Sequence, residues 1–219
     1  FQSTYRPVKI VHNGSKLKHL SLLKDGNTVA WYDYLASGTI TKDGSNYVSR
    51  WNDKLGSGRD LIQATGTNQP LLTADGVLFD GVDNWIKTAN FTFNQPVMIY
   101  FVLKRVTFSY NVNAFDGFAA SYCSMVLYSE STSRIYAGSY STTILLPLAE
   151  FVIAIAKFNS VNSSFSINDT KTTGNFGTRQ MGGITIGSSG NTLGAYSNIL
   201  VKEMIARNVA DSETDETAI

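Results

Sequence analysis

Two stretches of the chain, residues 97–103 and 151–156, are apolar at every position. An amphipathic strand needs an apolar side chain only at alternate positions, so an uninterrupted run marks a strand covered on both faces. Such strands belong to layered sheets rather than to an up-and-down barrel. The rest of the chain supplies the partners. Residues 28–32 are rich in strand formers, and 39–51 read as a hairpin around a glycine turn. Further strand-like segments lie at 76–79, 119–128, 133–144, 183–187 and 199–206, and residues 164–168 alternate with period two. Residues 52–68 and 109–117 read as loops. Only the tail reads as helix, where Ser212-Glu213-Thr214-Asp215 has capping-box spacing.

Ten or more short strands with turn signals between them predict an all-β fold, a two-sheet antiparallel β-sandwich with a short C-terminal helix. We expect one domain over residues 27–219, preceded by an N-terminal arm or connector over 1–26. Within the arm, residues 1–3 read as a purification-tag remnant, and His12 and His19 read as solvated. A single domain of this size buries roughly 70–75% of its unfolded surface, so it needs no disulfide or metal for stability. Cys123 is the single cysteine and reads as a small buried residue.

Charge narrows the function. With 18 basic and 17 acidic side chains, the chain has no basic excess of the kind that holds nucleic acid by counterion release. No apolar run approaches the roughly 20 residues of a membrane-spanning helix, so neither nucleic acid nor membrane insertion is expected. Ser, Thr and Asn together account for 61 of 219 residues, and only 16% are charged, against about 25% in ordinary globular chains. Such a surface suits neutral, hydroxyl-rich ligands.

Catalytic patterns are sparse. Glycan-cleaving sandwiches aim carboxylates from one strand into a cleft, but the glutamates here are 130, 150, 203, 213 and 216. Only the last two lie close together, in the predicted helix. No phosphate-cradling loop is present, and the expectation is a non-enzyme. Asp80, Asp83 and Asn84 share one turn that offers oxygen ligands to Ca²⁺. The simpler reading is an Asx-capped turn between core aromatics Phe79 and Trp85, so no cofactor is expected. Asp33 and Asp53 read the same way, as turn formers. Four N-x-[ST] sequons, at Asn13, Asn90, Asn162 and Asn168, are expected by chance at this composition.

Sugar recognition needs flat aromatic faces beside polar donors and acceptors. Residues 128–140 hold that mixture: Tyr128, Glu130, Arg134, Tyr136 and Tyr140. We expect Tyr128 and Tyr136 close across a turn, with Glu130 and Arg134 at its tip, and Tyr110 and Asp116 approaching from the 109–117 loop. The alternative for the same residues is plain sheet packing, since tyrosine suits half-buried pleated surfaces.

Five segments, in order, resemble one family. They are Trp31-Tyr32-Asp33, the element Trp51-Asn52-Asp53-Lys54-Leu55-Gly56, the segment 79–85, the hairpin 151–172, and a closing strand before a short helix beginning at Ser212. Together they resemble the concanavalin A-like, laminin G-like jelly-roll domains of phage tail and bacterial surface proteins. The resemblance covers about residues 27–219, with Asn168-Asp169 where the family carries Asn-Gly. It implies a jelly roll that binds glycans of a cell surface or polysaccharide, on a virion or outside the cell. It equally implies an assembly module contacting other tail or surface subunits. Fold likeness alone does not choose between them.

Overall fold

The computed structural model describes residues 22–108, 110–119, 122–190 and 194–216. Two antiparallel sheets stack face to face. The first holds β1 (Thr28–Asp33), β5 (Leu71–Thr73), β6 (Gly76–Asp80), β8 (Val97–Arg105), β13 (Phe151–Phe158), β14 (Ser163–Ile167), β15 (Thr170–Gly174) and β17 (Asn198–Arg207), in spatial order β15-β14-β13-β8-β17-β6-β5. The second holds β2 (Ile40–Lys42), β3 (Val48–Trp51), β4 (Leu61–Ile62), β7 (Ile86–Lys87), β9 (Val112–Asp116), β10 (Ser124–Leu127), β11 (Thr132–Tyr136), β12 (Ile144–Leu145) and β16 (Thr185–Ile186), in order β12-β11-β10-β9-β16-β7-β4-β3-β2. The described helices amount to short turns, the last of them Glu213–Glu216. The predicted two-sheet β-sandwich with a short C-terminal helix is therefore the observed fold.

The run at 97–103 sits where a doubly covered strand must. β8 lies between β13 and β17 and is buried along most of its length. Its Ile99, Phe101 and Leu103 face the second sheet, where Phe101 meets Phe115 edge to face at 5.7 Å. Its Met98 and Tyr100 face outward and are covered by Leu23 together with Ile205. Burying each such large apolar side chain contributes about 1.5–3 kcal/mol. β17 bridges two partners on one edge. Its first half pairs with β6 and its second half with β1, and the register shifts between Val201 and Glu203 at the changeover.

Four sequence expectations change. The run 151–156 does not form a strand covered on both faces: β13 sends Val152, Ala154 and Ala156 into the core but leaves Ile153 38% exposed. Its outward Phe151 is sheltered by the ammonium groups of Lys104 and Lys202, 4.9 and 4.0 Å from the ring. The alternating segment at 164–168 has no solvent face within its strand, because β14 is buried at all five positions and Asn168 lies exposed beyond its end. Residues 109–117 are not a loop throughout, since β9 occupies Val112–Asp116. The 52–68 loop also contains β4 and a one-turn 3-10 helix at Gly66–Asn68.

A buried cation ties both described ends of the chain to the outer face of the first sheet. Arg207 donates from Nε and Nη2 to the two carboxylate oxygens of Asp211, at 2.8 and 3.0 Å. It also donates to Asp25 Oδ2 (2.8 Å), Thr28 Oγ1 (2.7 Å) and the Leu22 carbonyl. The Tyr100 hydroxyl donates to Asp211 at 2.8 Å, and burial, with Asp211 beside it, holds that phenol well above its usual range. Lys171 pairs with Glu213 and Glu216, and Lys157 pairs with Glu216, fastening the terminal helix. Ser212 caps that helix as the spacing predicted, its Oγ accepting the Asp215 N–H at 3.2 Å. Residues 1–21, which hold His12, His19 and the tag-like start, lie outside the described residues.

Candidate functional site

The outer face of the second sheet carries the aromatic cluster. In β11, Ile135 points into the core, so Arg134 and Tyr136 point outward, and β10 aligns Val126 with Arg134 and Ser124 with Tyr136. Arg134 therefore stands within the strand rather than at the turn tip. The tip is Glu130, exposed between Ser129 and Ser131. Tyr128 and Tyr136 do not meet across the turn as expected. Arg134 and Tyr140 come between them.

The resulting arrangement is a ladder. Tyr110 lies 6.0 Å from Tyr128, centroid to centroid. The Arg134 guanidinium carbon sits 3.7 Å from the Tyr128 ring and 3.5 Å from the Tyr140 ring, held between them. Tyr140 packs against Tyr136 at 4.6 Å, and the Arg179 guanidinium lies 5.3 Å from the Tyr136 ring. Tyr110 and Tyr140 are 63% and 47% exposed, so the ladder offers ring surface to solvent. Cation–π contacts favour this stacking. The hairpin places the pieces. Tyr140 bridges Tyr136 across the turn between β11 and β12, and the Ser141 hydroxyl accepts the Ile135 N–H at 3.0 Å.

Arg179 was not visible as a site residue in the sequence. It reaches the ladder because segment 176–179 threads against the 137–139 turn: Ala137 and Ser139 donate to the Phe176 carbonyl, and Arg179 N–H donates to Ala137 O at 2.9 Å. Gly177 permits the approach. Its φ is +101°, and a Cβ there would lie 2.2 Å from Ala137 O. The Cys123 thiol donates to the Arg179 carbonyl at 3.1 Å, and burial first, then the nearby Asp116, pushes its pKa well up. It acts as a buried anchor beneath the loop. The only signal in the sequence was glycine at 174 and 177.

Asp116 is a correction. It ends β9 fully buried, and its carboxylate accepts the N–H groups of Gly117 (2.8 Å), Tyr122 (3.1 Å) and Gly190 (3.1 Å), and the Asn113 amide (3.3 Å). It therefore holds two loops together instead of facing a ligand. A carboxylate with that many donors is satisfied where it stands.

The other acidic turns behave as caps. Asp80 Oδ1 accepts the Val82 N–H at 2.9 Å, and Asn84 Oδ1 accepts the Asp80 N–H at 3.2 Å. Phe79 is in the core as expected, whereas Trp85 is half-buried beside Lys87, whose ammonium lies 5.4 Å from its ring and 5.2 Å from that of Phe118. Asp53 accepts the N–H groups of Trp31 (2.7 Å) and Ser57 (2.9 Å), so the Trp51–Gly56 element joins β1 to the second sheet. Among the described residues, no group of three His, Cys, Asp or Glu is placed to hold a metal ion, and no helix is long and apolar enough to cross a membrane.

No protein-family model matches the chain, and no curated protein matches it. Solved structures do match. Trypanosoma rangeli sialidase, in complex with sialic acid, superposes with a TM-score of 0.66 at 12% identity, over 88% of this chain and 32% of that one. The binding domain of Paraclostridial Mosquitocidal Protein 1 superposes with a TM-score of 0.58 at 15% identity, over 88% of this chain and 51% of that one. Domain 4 of AbnA, a GH43 extracellular arabinanase from Geobacillus stearothermophilus, in complex with arabinotriose, gives 0.55 at 10% identity, over 87% of this chain and 97% of that one. The chain thus spans about a third of the sialidase. At these identities the likeness is one of β-sandwich fold.

Proposed function

We propose that this chain is a non-catalytic carbohydrate-binding module, and that its ligand lies along the tyrosine ladder on the outer face of the second sheet. The observation that carries the reading is the ladder itself: Tyr110, Tyr128, Tyr140 and Tyr136 in series, with Arg134 clasped between two of them and ring surface open to solvent. Aromatic faces stack on the C–H side of a pyranose while polar edges meet its hydroxyls. Leu23, Arg207 and the terminal helix cover part of the outer face of the first sheet. The second sheet carries the exposed tyrosines.

Two neighbours in fold support the sugar reading, one in complex with arabinotriose and one with sialic acid. The laminin G-like motifs support a setting in a phage tail or bacterial surface protein, where the module would attach a virion or cell to a glycan. Glu213 and Glu216 are held by lysines, which supports a binding role over acid–base chemistry.

Glycan-array screening of the intact chain followed by calorimetry tests the proposal. Tyr128→Ala with Tyr140→Ala is expected to weaken binding at least about tenfold, or about 1.4 kcal/mol, with the fold retained by circular dichroism. Failure to retain any sugar, or retention unchanged in the double variant, refutes it.

A further inference from the structure

We propose that the sugar recognised by the ladder is acidic, and that Arg134 takes its carboxylate. This deepens the carbohydrate reading and rests on it.

Arg134 stands apart from four other described arginines by what it lacks. Those four spend their donors inside the protein. Arg50 binds Asp60, Arg59 binds the Val29 carbonyl, Arg105 binds the carbonyls of Ser129 and Glu130, and Arg207 binds Asp211 and Asp25. Among the described residues, Arg134 has neither a hydrogen bond nor an ion pair, and its Nε is buried without a partner. A half-buried cation with no counter-charge is an unusual thing for a fold to keep, because groups removed from water ordinarily find partners.

Geometry then defines the missing partner. Both faces of the guanidinium are filled, by Tyr128 at 3.7 Å and Tyr140 at 3.5 Å. A ligand can approach only in the plane of the fork. Nε is closed off while the two Nη groups keep access to solvent, so the outward edge presents a pair of donors. A planar carboxylate accepts such a pair in two parallel hydrogen bonds. The flanking rings, Tyr110 beyond Tyr128 and Tyr136 beyond Tyr140, continue the platform to either side. A pyranose stacked on one of these rings, with a carboxylate on its ring carbon, satisfies both the apolar and the ionic halves of the site. Uronic acids and nonulosonic acids share that chemistry.

The test uses the full chain and matched ligands. Calorimetry would compare trigalacturonic acid and sialyllactose, one for each class of acid, with the same oligosaccharides after their carboxyl groups are reduced to alcohols. At least one acid is expected to bind about tenfold or more tightly than its reduced form, and the preference should shrink as salt rises, because the contact is an ion pair at the surface. Arg134→Gln should bring the acid-to-alcohol ratio to about one. Arg134→Lys keeps the charge but loses the fork, and should lose most of the preference; unfolding midpoints confirm that each variant folds.

Equal affinity for acid and alcohol, or a preference that survives in Arg134→Gln, overturns the acidic-ligand assignment and leaves the carbohydrate module standing. A sulfated oligosaccharide bound as tightly as the carboxylated one overturns the fork-to-carboxylate match. If the intact chain holds neither acid nor alcohol while an unrelated neutral glycan binds the ladder, the assignment fails alone. If no glycan binds at all, both readings fail together.

Discussion

Replacing Arg207 with methionine isolates the part of the fold that binds its ends to its body. The Arg207 side chain is 1% exposed and that of Asp211 is 3% exposed, so the substitution strands a buried carboxylate that keeps the Tyr100 hydroxyl as a donor. Breaking a buried pair by removing one partner costs about 3–5 kcal/mol. The more exposed contact with Asp25 adds at most about 1 kcal/mol. For a domain of this length, each kcal/mol moves the melting point by about 2–4 °C, so Arg207→Met should lower it by about 6–24 °C. Thermal and urea unfolding followed by circular dichroism read this directly. Adding Asp211→Asn to the variant should return part of the loss, because the stranded charge, rather than the missing contact, carries most of the cost. A fall of less than about 3 °C, or no recovery in the double variant, would show that the clamp is ornamental and that the apolar cluster around Leu23 holds the ends unaided.

Two more outcomes follow from the geometry. Burial pushes the Asp25 carboxyl up, but hydrogen bonds from Arg207 and Asn27 outweigh it and leave its pKa below the usual value; a depressed carboxylate stabilises above its unfolded pKa of about 3.9 and loses that contribution as pH falls through its folded pKa. Unfolding midpoints across pH 2–6 should therefore drop more steeply in the wild type than in Asp25→Asn, and parallel curves would contradict the assignment. Gly177→Ala forces a side chain onto the Ala137 carbonyl at a backbone angle of +101°, at about 1–3 kcal/mol of strain. It should lower the melting point by about 2–12 °C and weaken sugar binding although no ladder side chain is altered; an unchanged midpoint would mean that the two segments are not threaded as described.

The sheets were legible where a strand's own residues decide its state. β8 reads from seven consecutive apolar residues, and the β2–β3 hairpin from its glycine turn. β9 was not, because its Asn113 and Asp116 look like loop residues until Gly117, Tyr122 and Gly190, from outside the strand, bring donors to Asp116. The two-residue strands β4, β7, β12 and β16 carry no periodicity of their own and exist by pairing with their neighbours. At the site, composition picked out Tyr128, Arg134 and Tyr140. Their order in space depends on the register of β10, which shifts between Met125 and Val126, and no local pattern announces such a shift. Arg179 is remote in the chain and is brought to the ladder by main-chain hydrogen bonds of its segment to the 137–139 turn, which side-chain identity does not encode.

The clamp at Arg207 also has a directional consequence. Leu22, Asp25 and the helix at 213–216 are fastened to the same side of the sandwich, and the tyrosines crown the side away from it. A molecule tethered by either of these points to a bead, a filament or a neighbouring domain would turn its rings toward the medium instead of toward the support. Orientation on a sensor surface should then favour capture of ligand without any engineering of the linkage.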